Sequence, residues 1–190
     1  VLIGSQRAGG RGIFALDITN PANFSESNAA DMLLWEFTES DLGYTFSEPT
    51  VALMNNGKWA VILGNGYNDS GAGQAKLFIV YLEEGIDGTW STGEYLKIST
   101  GSGSSYNKNG LSTPAVVDLD GDGDLDAIVL SSFFGMILHN HETEEFTPEF
   151  LDVGGAVAYL DSHLRDLDGD GDLDLIFTAV NGSGAQVYMN

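Results

Sequence analysis

A nine-residue segment, Asp-Leu-Asp-Gly-Asp-Gly-Asp-Leu-Asp, occurs twice without change, at 118–126 and at 166–174, a displacement of 48 residues (166 − 118). Five carboxylates in nine residues repel one another strongly unless a cation lies among them. Ca²⁺ is a hard ion that takes six to eight oxygens at roughly 2.3–2.6 Å, and ligands on alternate residues wrap around one point. Positions 1, 3, 5, 7 and 9 are Asp118, Asp120, Asp122, Asp124 and Asp126 in the first copy, and Asp166, Asp168, Asp170, Asp172 and Asp174 in the second. Glycine at position 6 (Gly123, Gly171) permits the sharp turn that brings position 7 round through its backbone carbonyl. The expected ligands are therefore the side chains at positions 1, 3, 5 and 9 with the carbonyls of Asp124 and Asp172, and the cofactor is Ca²⁺ at two sites. Position 12, which a helix–loop–helix calcium site fills with a bidentate Glu, is Val129 and Phe177, and a strand-like run follows each loop. Calcium sensing by helix opening is excluded. The ion is expected to be structural, its binding energy serving as folding energy.

The repeat extends beyond the loop. Ile128 corresponds to Ile176, and after a two-residue insertion Met136–Asn140 aligns with Gln186–Asn190. A weaker third copy lies upstream, where 49–65 (PTVALMNNGKWAVILGN) overlays 114–132, with Asn56-Gly57 as a tight hairpin in place of the acidic loop. Short β-branched and aromatic runs bounded by Gly, Asn, Asp or Ser predict strands at 12–18, 33–37, 50–54, 59–64, 76–82, 95–99, 114–119, 126–131, 135–140, 173–180 and 186–190. Only 29–34 reads as a helical turn or a loop. A repeat of about 45–65 residues with several strands fits a β-propeller blade. The expected fold is all-β: a partial or small propeller of three to four blades, mostly of four antiparallel strands, with calcium loops between strands. Within it, 1–111 forms blades without a metal loop, 112–159 the first calcium repeat and 160–190 an incomplete second one.

Composition narrows the partners. The 190 residues carry 28 acidic and 7 basic side chains, a formal net charge of −21. Such a surface repels phosphate backbones and anionic lipid, which argues against nucleic-acid binding and membrane insertion. The chain lacks cysteine, which excludes disulfides, zinc–cysteine sites and cysteine nucleophiles. The longest apolar run, Leu77 to Leu82, is far too short for a bilayer-spanning helix. Val1-Leu2-Ile3-Gly4 reads as a strand already under way, so the sequence is expected to be a piece of a longer protein.

The stretches STPAVVDLDGDGDLDAIV and HLRDLDGDGDLDLIFTAVNGSGAQVYMN, within 112–190, resemble the FG-GAP/VCBS repeat of integrin-α-like propellers. Residues 1–126 resemble something narrower. The blocks GGRGIFALDITNP, LLWEFTESDLGYTFSEPT, NNGKWAVILGNGYN, KLFIVYLEEG and NGLSTPAVVDLDGDGDLD follow, in order, the C-terminal propeller of PilY-type type IV pilus tip proteins. That likeness implies a non-catalytic, extracellular or cell-surface propeller acting in adhesion or in pilus-tip assembly and retraction control. Its implied partners are pilus subunits or a protein or glycan ligand on a host or other surface. The family's calcium loop falls on Asp118, Asp120, Asp122, Asp124 and Asp126. Two alternatives stand beside it: a carbohydrate-binding appendage of a secreted enzyme, and a quinoprotein-type dehydrogenase propeller, for which seven basic residues are few.

Among the remaining constellations, Gly4–Gly12 (GSQRAGGRG) lacks the spacing of a phosphate loop and reads as a strand-connecting turn. His139 and His141 share one strand face with Glu142 adjacent; no third metal ligand follows from spacing, so they read as surface polar residues. Trp35, Trp59, Trp90, Phe133 and Phe134 are candidates for a stacking platform and more simply read as blade core. No nucleophile–base–acid pattern stands out from the general acidity, and no catalytic residue is expected.

Overall fold

The computed structural model describes residues 1–130, 134–141, 145–151, 159–179 and 185–189. Its strands form four antiparallel sheets, in each of which consecutive strands are neighbours. The first holds β1 (Leu2–Ser5), β2 (Gly12–Leu16) and β3 (Leu33–Thr38); the second holds β4 (Thr50–Leu53), β5 (Trp59–Gly64), β6 (Gln74–Tyr81) and β7 (Tyr95–Gly103). The third holds β8 (Ala115–Val117), β9 (Asp126–Leu130), β10 (Gly135–His141) and β11 (Glu145–Leu151); the fourth holds β12 (Tyr159–Arg165), β13 (Asp174–Ala179) and β14 (Ala185–Tyr188). The chain divides into two compact units, Val1–Leu53 with Gly57–Thr113, and Met54–Asn56 with Pro114–Asn190.

The first unit builds its core from the facing sides of its two sheets: Ile13, Ala15, Trp35 and Phe37 from one, Val61, Leu63, Phe78 and Val80 from the other, with Leu42. β5 and β6 are central and almost wholly buried, so they read as continuous apolar runs, whereas β3 shows an inward–outward alternation. Trp35 is core and the partly buried Trp90 packs against it, ring centroids 5.3 Å apart edge to face. Each indole N–H reaches a carbonyl, Leu82 O at 2.9 Å for Trp35, which offsets the cost of burying that indole, and Glu36 O at 2.8 Å for Trp90. Residues 6–11 of the glycine-rich segment connect β1 to β2, as its composition predicts, while Gly4, Ser5 and Gly12 lie in the strands themselves. Residues 29–32 form a single helical turn.

The second unit has its own core: Leu119, Ile128, Ile137, Leu151, Leu175 and Phe177, with Val117, Leu164, Leu173 and Tyr188 packed against it. Two of its strands carry weak sequence signals. β11 contains Pro148 and lies at a sheet edge, where a missing N–H costs no ladder bond; β12 is also an edge strand and carries charged residues. The connection at Asn56-Gly57 is looser than a two-residue hairpin, because pairing stops at Leu53 opposite Trp59, and Gly57 takes the left-handed conformation (φ 79°). At the corresponding joint between β8 and β9, pairing stops at Val117 opposite Asp126, which leaves room for the acidic loop.

Candidate metal centre

Both acidic loops sit at the same joint of their sheets. The first leaves β8 after Val117 and re-enters β9 at Asp126; the second leaves β12 after Arg165 and re-enters β13 at Asp174, directly opposite in register. Their backbones are alike: Gly121 and Gly123 have φ of 75° and 96°, Gly169 and Gly171 have 83° and 102°, all left-handed. The hydrogen bonds repeat as well. The position-9 carboxylate accepts the position-2 N–H (Leu119 N to Asp126 Oδ2, 2.9 Å; Leu167 N to Asp174 Oδ2, 2.8 Å). The position-1 carboxylate accepts the N–H of the second glycine, Gly123 or Gly171, at 3.2 Å in each loop. Successive Asp side chains accept the N–H two residues on, from Asp122 and Asp124 in one loop and from Asp170 and Asp172 in the other.

This folding aims carboxylate oxygens inward. One oxygen each from Asp118, Asp120 and Asp122 lies within 4.8 Å of the others, as do those of Asp166, Asp168 and Asp174. Asp126 and Asp174 are fully buried, and Asp124 nearly so, while Asp170 and Asp172 are exposed. Burial pushes the Asp126 carboxyl above its ordinary range, against the two N–H groups it accepts, and the charge of Asp120 adds to the rise. At Asp168 the Asp170 N–H pulls downward, but desolvation and the charges of Asp170 and Asp174 outweigh it. Oδ1 of Asp118 is shut off from solvent and has no hydrogen-bond partner. An orphaned, buried carboxylate oxygen among other carboxylates is what a hard cation would satisfy, so the donor set fits Ca²⁺.

The loops also differ in what lies beneath and beside them. Leu119 is buried in the core beneath its loop, whereas its counterpart Leu167 is 47% exposed. More consequential is β10, which runs past the start of β9 and brings His139 against the first loop. Its Nδ1 stands 3.8 Å from Asp120 Oδ2, and Asp120, Asp126 and His139 each offer one ligand atom within 4.8 Å of the others. His139 Nε2 donates to Glu149 Oε2 at 2.9 Å, and Glu149 Oε1 accepts from the Tyr188 hydroxyl at 3.0 Å. These two bonds, the His139 one foremost, hold the Glu149 carboxyl below its ordinary range. His141 is stacked alongside His139, its Nδ1 3.9 Å from Asp122 Oδ2 and its Nε2 3.0 Å from Thr147 Oγ1. The reading of these histidines as plain surface residues is thus corrected for His139: its third partner is supplied by the loop, across the sheet and out of reach of any spacing rule. Glu142 and Phe133 lie outside the described residues. Trp59 is half exposed, Trp35 is buried with the partly buried Trp90 edge to face against it, and Phe134 packs edge to face on Phe150.

Comparison with known proteins gives this architecture a family. The PilY1 beta-propeller domain family matches residues 1–138, which takes in the first acidic loop. The chain belongs to that family. The type IV pilus biogenesis factor PilY1 of Pseudomonas aeruginosa is 46% identical over 126 residues, covering 65% of this chain and 10% of that protein. A type IV pilus biogenesis factor PilY1 homolog of Xylella fastidiosa is 40% identical over 153 residues, covering 74% of this chain and 9% of its own length. The chain thus spans about a tenth of the curated relatives it matches. The crystal structure of the Pseudomonas aeruginosa PilY1 C-terminal domain superposes with a TM-score of 0.68 at 32% identity, covering 93% of this chain and 40% of that one. The fold is accordingly the all-β propeller of this family, built of antiparallel sheets. The family match stops at 138, before the second acidic loop at 166–174.

Proposed function

We propose that this chain is a non-catalytic, calcium-binding propeller segment of a surface-exposed type IV pilus factor, acting in pilus assembly and retraction control or in adhesion. Pilus association is supported by the family and by the pilus biogenesis role named for its relatives in Pseudomonas and Xylella. The calcium reading rests on one observation above all: two loops of identical sequence repeat the same turn and the same carboxylate hydrogen bonds at the same joint of two different sheets. The second loop and its flanks extend the propeller in the manner of FG-GAP/VCBS repeats. Each ion would draw together side chains from positions 1, 3, 5 and 9 and tie adjacent strands, so that the sheets present a fixed surface to pilus subunits or to a ligand on another surface.

The Asp118→Asn, Asp122→Asn double variant is expected to melt lower than the parent in calcium buffer and to bind one Ca²⁺ fewer by titration calorimetry. With free ion about a hundredfold above Kd, each site adds ~2.7 kcal/mol, which is the size of the loss expected. If parent and variant melt alike both with and without chelator, the calcium reading is wrong. For the pilus role, the same substitutions in the full-length protein are expected to reduce the number of surface pili on the producing cells. Unchanged pili with a calcium-deficient loop would overturn that part alone.

A further inference from the structure

We infer that Arg7 and Arg11, set at the two ends of a ladder of aromatic rings, form a docking surface for an acidic segment of a partner protein, one that carries carboxylates on either side of an apolar or aromatic side chain. All of its residues belong to the unit formed by 1–53 and 57–113, and it depends on no ion in either acidic loop. The connection from β1 to β2 brings both arginines to the rings. The Arg7 guanidinium lies over Phe46, 5.6 Å from the ring centroid. Phe46 is stacked on Tyr67 at 5.3 Å, Tyr67 meets Tyr44 edge to face at 6.1 Å, and the Arg11 guanidinium lies over Tyr44 at 5.3 Å. Arg7, Phe46 and Tyr67 are exposed, and Tyr44 and Arg11 partly so.

Three observations point to a ligand bearing carboxylates. First, the arginines are withheld from pairing in a chain where acceptors abound. All four lysines reach a carboxylate, Lys58 that of Glu84, Lys76 and Lys97 that of Asp41, and Lys108 that of Asp69. Among the described residues neither Arg7 nor Arg11 has such a partner. Stacking uses the face of a guanidinium and leaves its edge, the fork that grips a carboxylate through two parallel bonds, unspent. Second, Nε of Arg11 is shut off from solvent and has no hydrogen-bond partner, so the fold supplies no acceptor of its own for it. Third, the backbone under the ladder is fixed. Tyr44 N donates to Tyr67 O at 2.8 Å, Arg7 N to Thr45 Oγ1 at 3.1 Å, and Thr45 Oγ1 to Gly12 O at 3.0 Å. A Cβ at Gly43 would strike the Tyr67 carbonyl and one at Gly66 the Tyr44 carbonyl, so only glycine permits this approach. Among the described residues, the non-glycines with left-handed φ are Arg7 (51°) and Asn68 (64°), one in the ladder and one next to it. Asparagine takes that conformation readily, arginine only at a cost, and strain held beside an open surface clusters at functional sites. A surface fixed in advance spares the ordering cost of binding. Exposed tyrosine with arginine is the composition of an interface hot spot. A long polyanion is repelled by the net charge of −21. A short acidic segment in contact with the guanidinium edges is not, because charges beyond about 8 Å are screened at physiological salt.

The test follows the arginine Nε–Hε resonances of the isotope-labelled full chain as acetyl-Glu-Tyr-Glu-amide is added. The resonances of Arg7 and Arg11 are expected to move together and to half-saturate at or below about 1 mM, an affinity that two charge-assisted contacts support. The neutral twin, acetyl-Gln-Tyr-Gln-amide, should bind at least ~10-fold more weakly. Arg7→Lys, which keeps the charge at an exposed position but loses the fork, should weaken the acidic peptide by a similar factor. Lys58→Gln, which removes a cation engaged with Glu84 and Tyr81 instead, should leave it unchanged. Equal binding of the two peptides, equal losses in the two variants, or unmoved resonances at millimolar peptide would each overturn the inference. So would tri-galacturonate binding more tightly than the peptide, which would make the partner an acidic glycan, and a concentration-dependent dimer that Arg7→Lys dissolves, which would make it a second copy of this chain. The parent's own resonances decide the matter even where a variant fails to fold. None of these outcomes touches calcium uptake, so this inference and the reading of the acidic loops fail separately.

Discussion

Asp41 is 6% exposed, yet it faces two ammonium groups, Lys76 Nζ at 2.5 Å and Lys97 Nζ at 2.7 Å, and accepts the Ala72 N–H at 3.0 Å. Burial by itself would push the carboxyl up; the hydrogen bonds from both lysines and from Ala72 outweigh it and hold Asp41 well below the usual carboxylate range. Lys97, which also reaches Glu39 at 3.0 Å, is lowered by desolvation but raised more by its two carboxylates. The signs follow by linkage. A depressed Asp contributes stability at pH above its unfolded value of about 4 and loses it as pH falls through the folded value; a raised Lys keeps its contribution until pH climbs past about 10.4. Asp41→Asn leaves Lys76, itself buried, without its counter-charge, and is expected to cost ~3–5 kcal/mol at pH 7 in urea unfolding. Between pH 5 and 2 the parent should lose stability more steeply than the variant, and parallel slopes would contradict the assignment. None of this was legible beforehand: the partners lie 35 and 56 residues apart, and no spacing rule couples them. The turn of the acidic loops was legible because its residues are contiguous, whereas the approach of His139 to Asp120 was not, because it exists only through strand pairing.

At the scale of elements, what was legible follows how much of a strand is buried. β5 and β6, buried on both faces, announce themselves as apolar runs, and Trp59–Gly64 was bounded correctly at both ends. β11 and β12 escaped because edge strands tolerate Pro148 and charged side chains, the residues that argue against a strand in isolation. The two loops give a paired prediction on identical sequence. Leu119 is 2% exposed and belongs to the core of Ile128, Ile137 and Phe177, so its side chain anchors the first loop to the sheet. Leu119→Ala is expected to cost ~2–5 kcal/mol, as buried leucine truncations do. Leu167→Ala, at the same loop position but 47% exposed, should change stability by no more than ~0.5 kcal/mol. Chemical denaturation of both variants checks the difference. Equal losses would mean that loop sequence, not the packing beneath it, sets the anchoring.

For the molecule as a whole, the decisive fact is that both acidic loops fall in the same compact unit. The unit formed by 1–53 and 57–113 carries neither, and its core of Ile13, Trp35, Phe37, Val61 and Phe78 is purely apolar. The other unit gathers ten Asp residues into two nonapeptides, and its core is closed by Leu119, next to Asp118, and by Leu175 and Phe177, next to and three residues beyond Asp174. A ligand that binds only the folded form stabilises what must unfold to release it. Removing a divalent ion should therefore act on β8–β14 and spare β1–β7. If each loop holds an ion, with free ion about a hundredfold above Kd its site would contribute ~2.7 kcal/mol, which corresponds to roughly a hundredfold in the opening equilibrium that governs amide exchange. Hydrogen exchange with and without chelator is expected to show at least that loss of protection in β9, β10 and β13, whose amides sit beside the loops, and none in β5 and β6. Loss spread evenly over both units would mean that they open together, and no loss anywhere would mean that the carboxylates are held by their own backbone hydrogen bonds alone. The distinction bears on function: a propeller in which only the unit of the two acidic loops loosened on losing its ions would respond to divalent ions there while the other unit stayed folded.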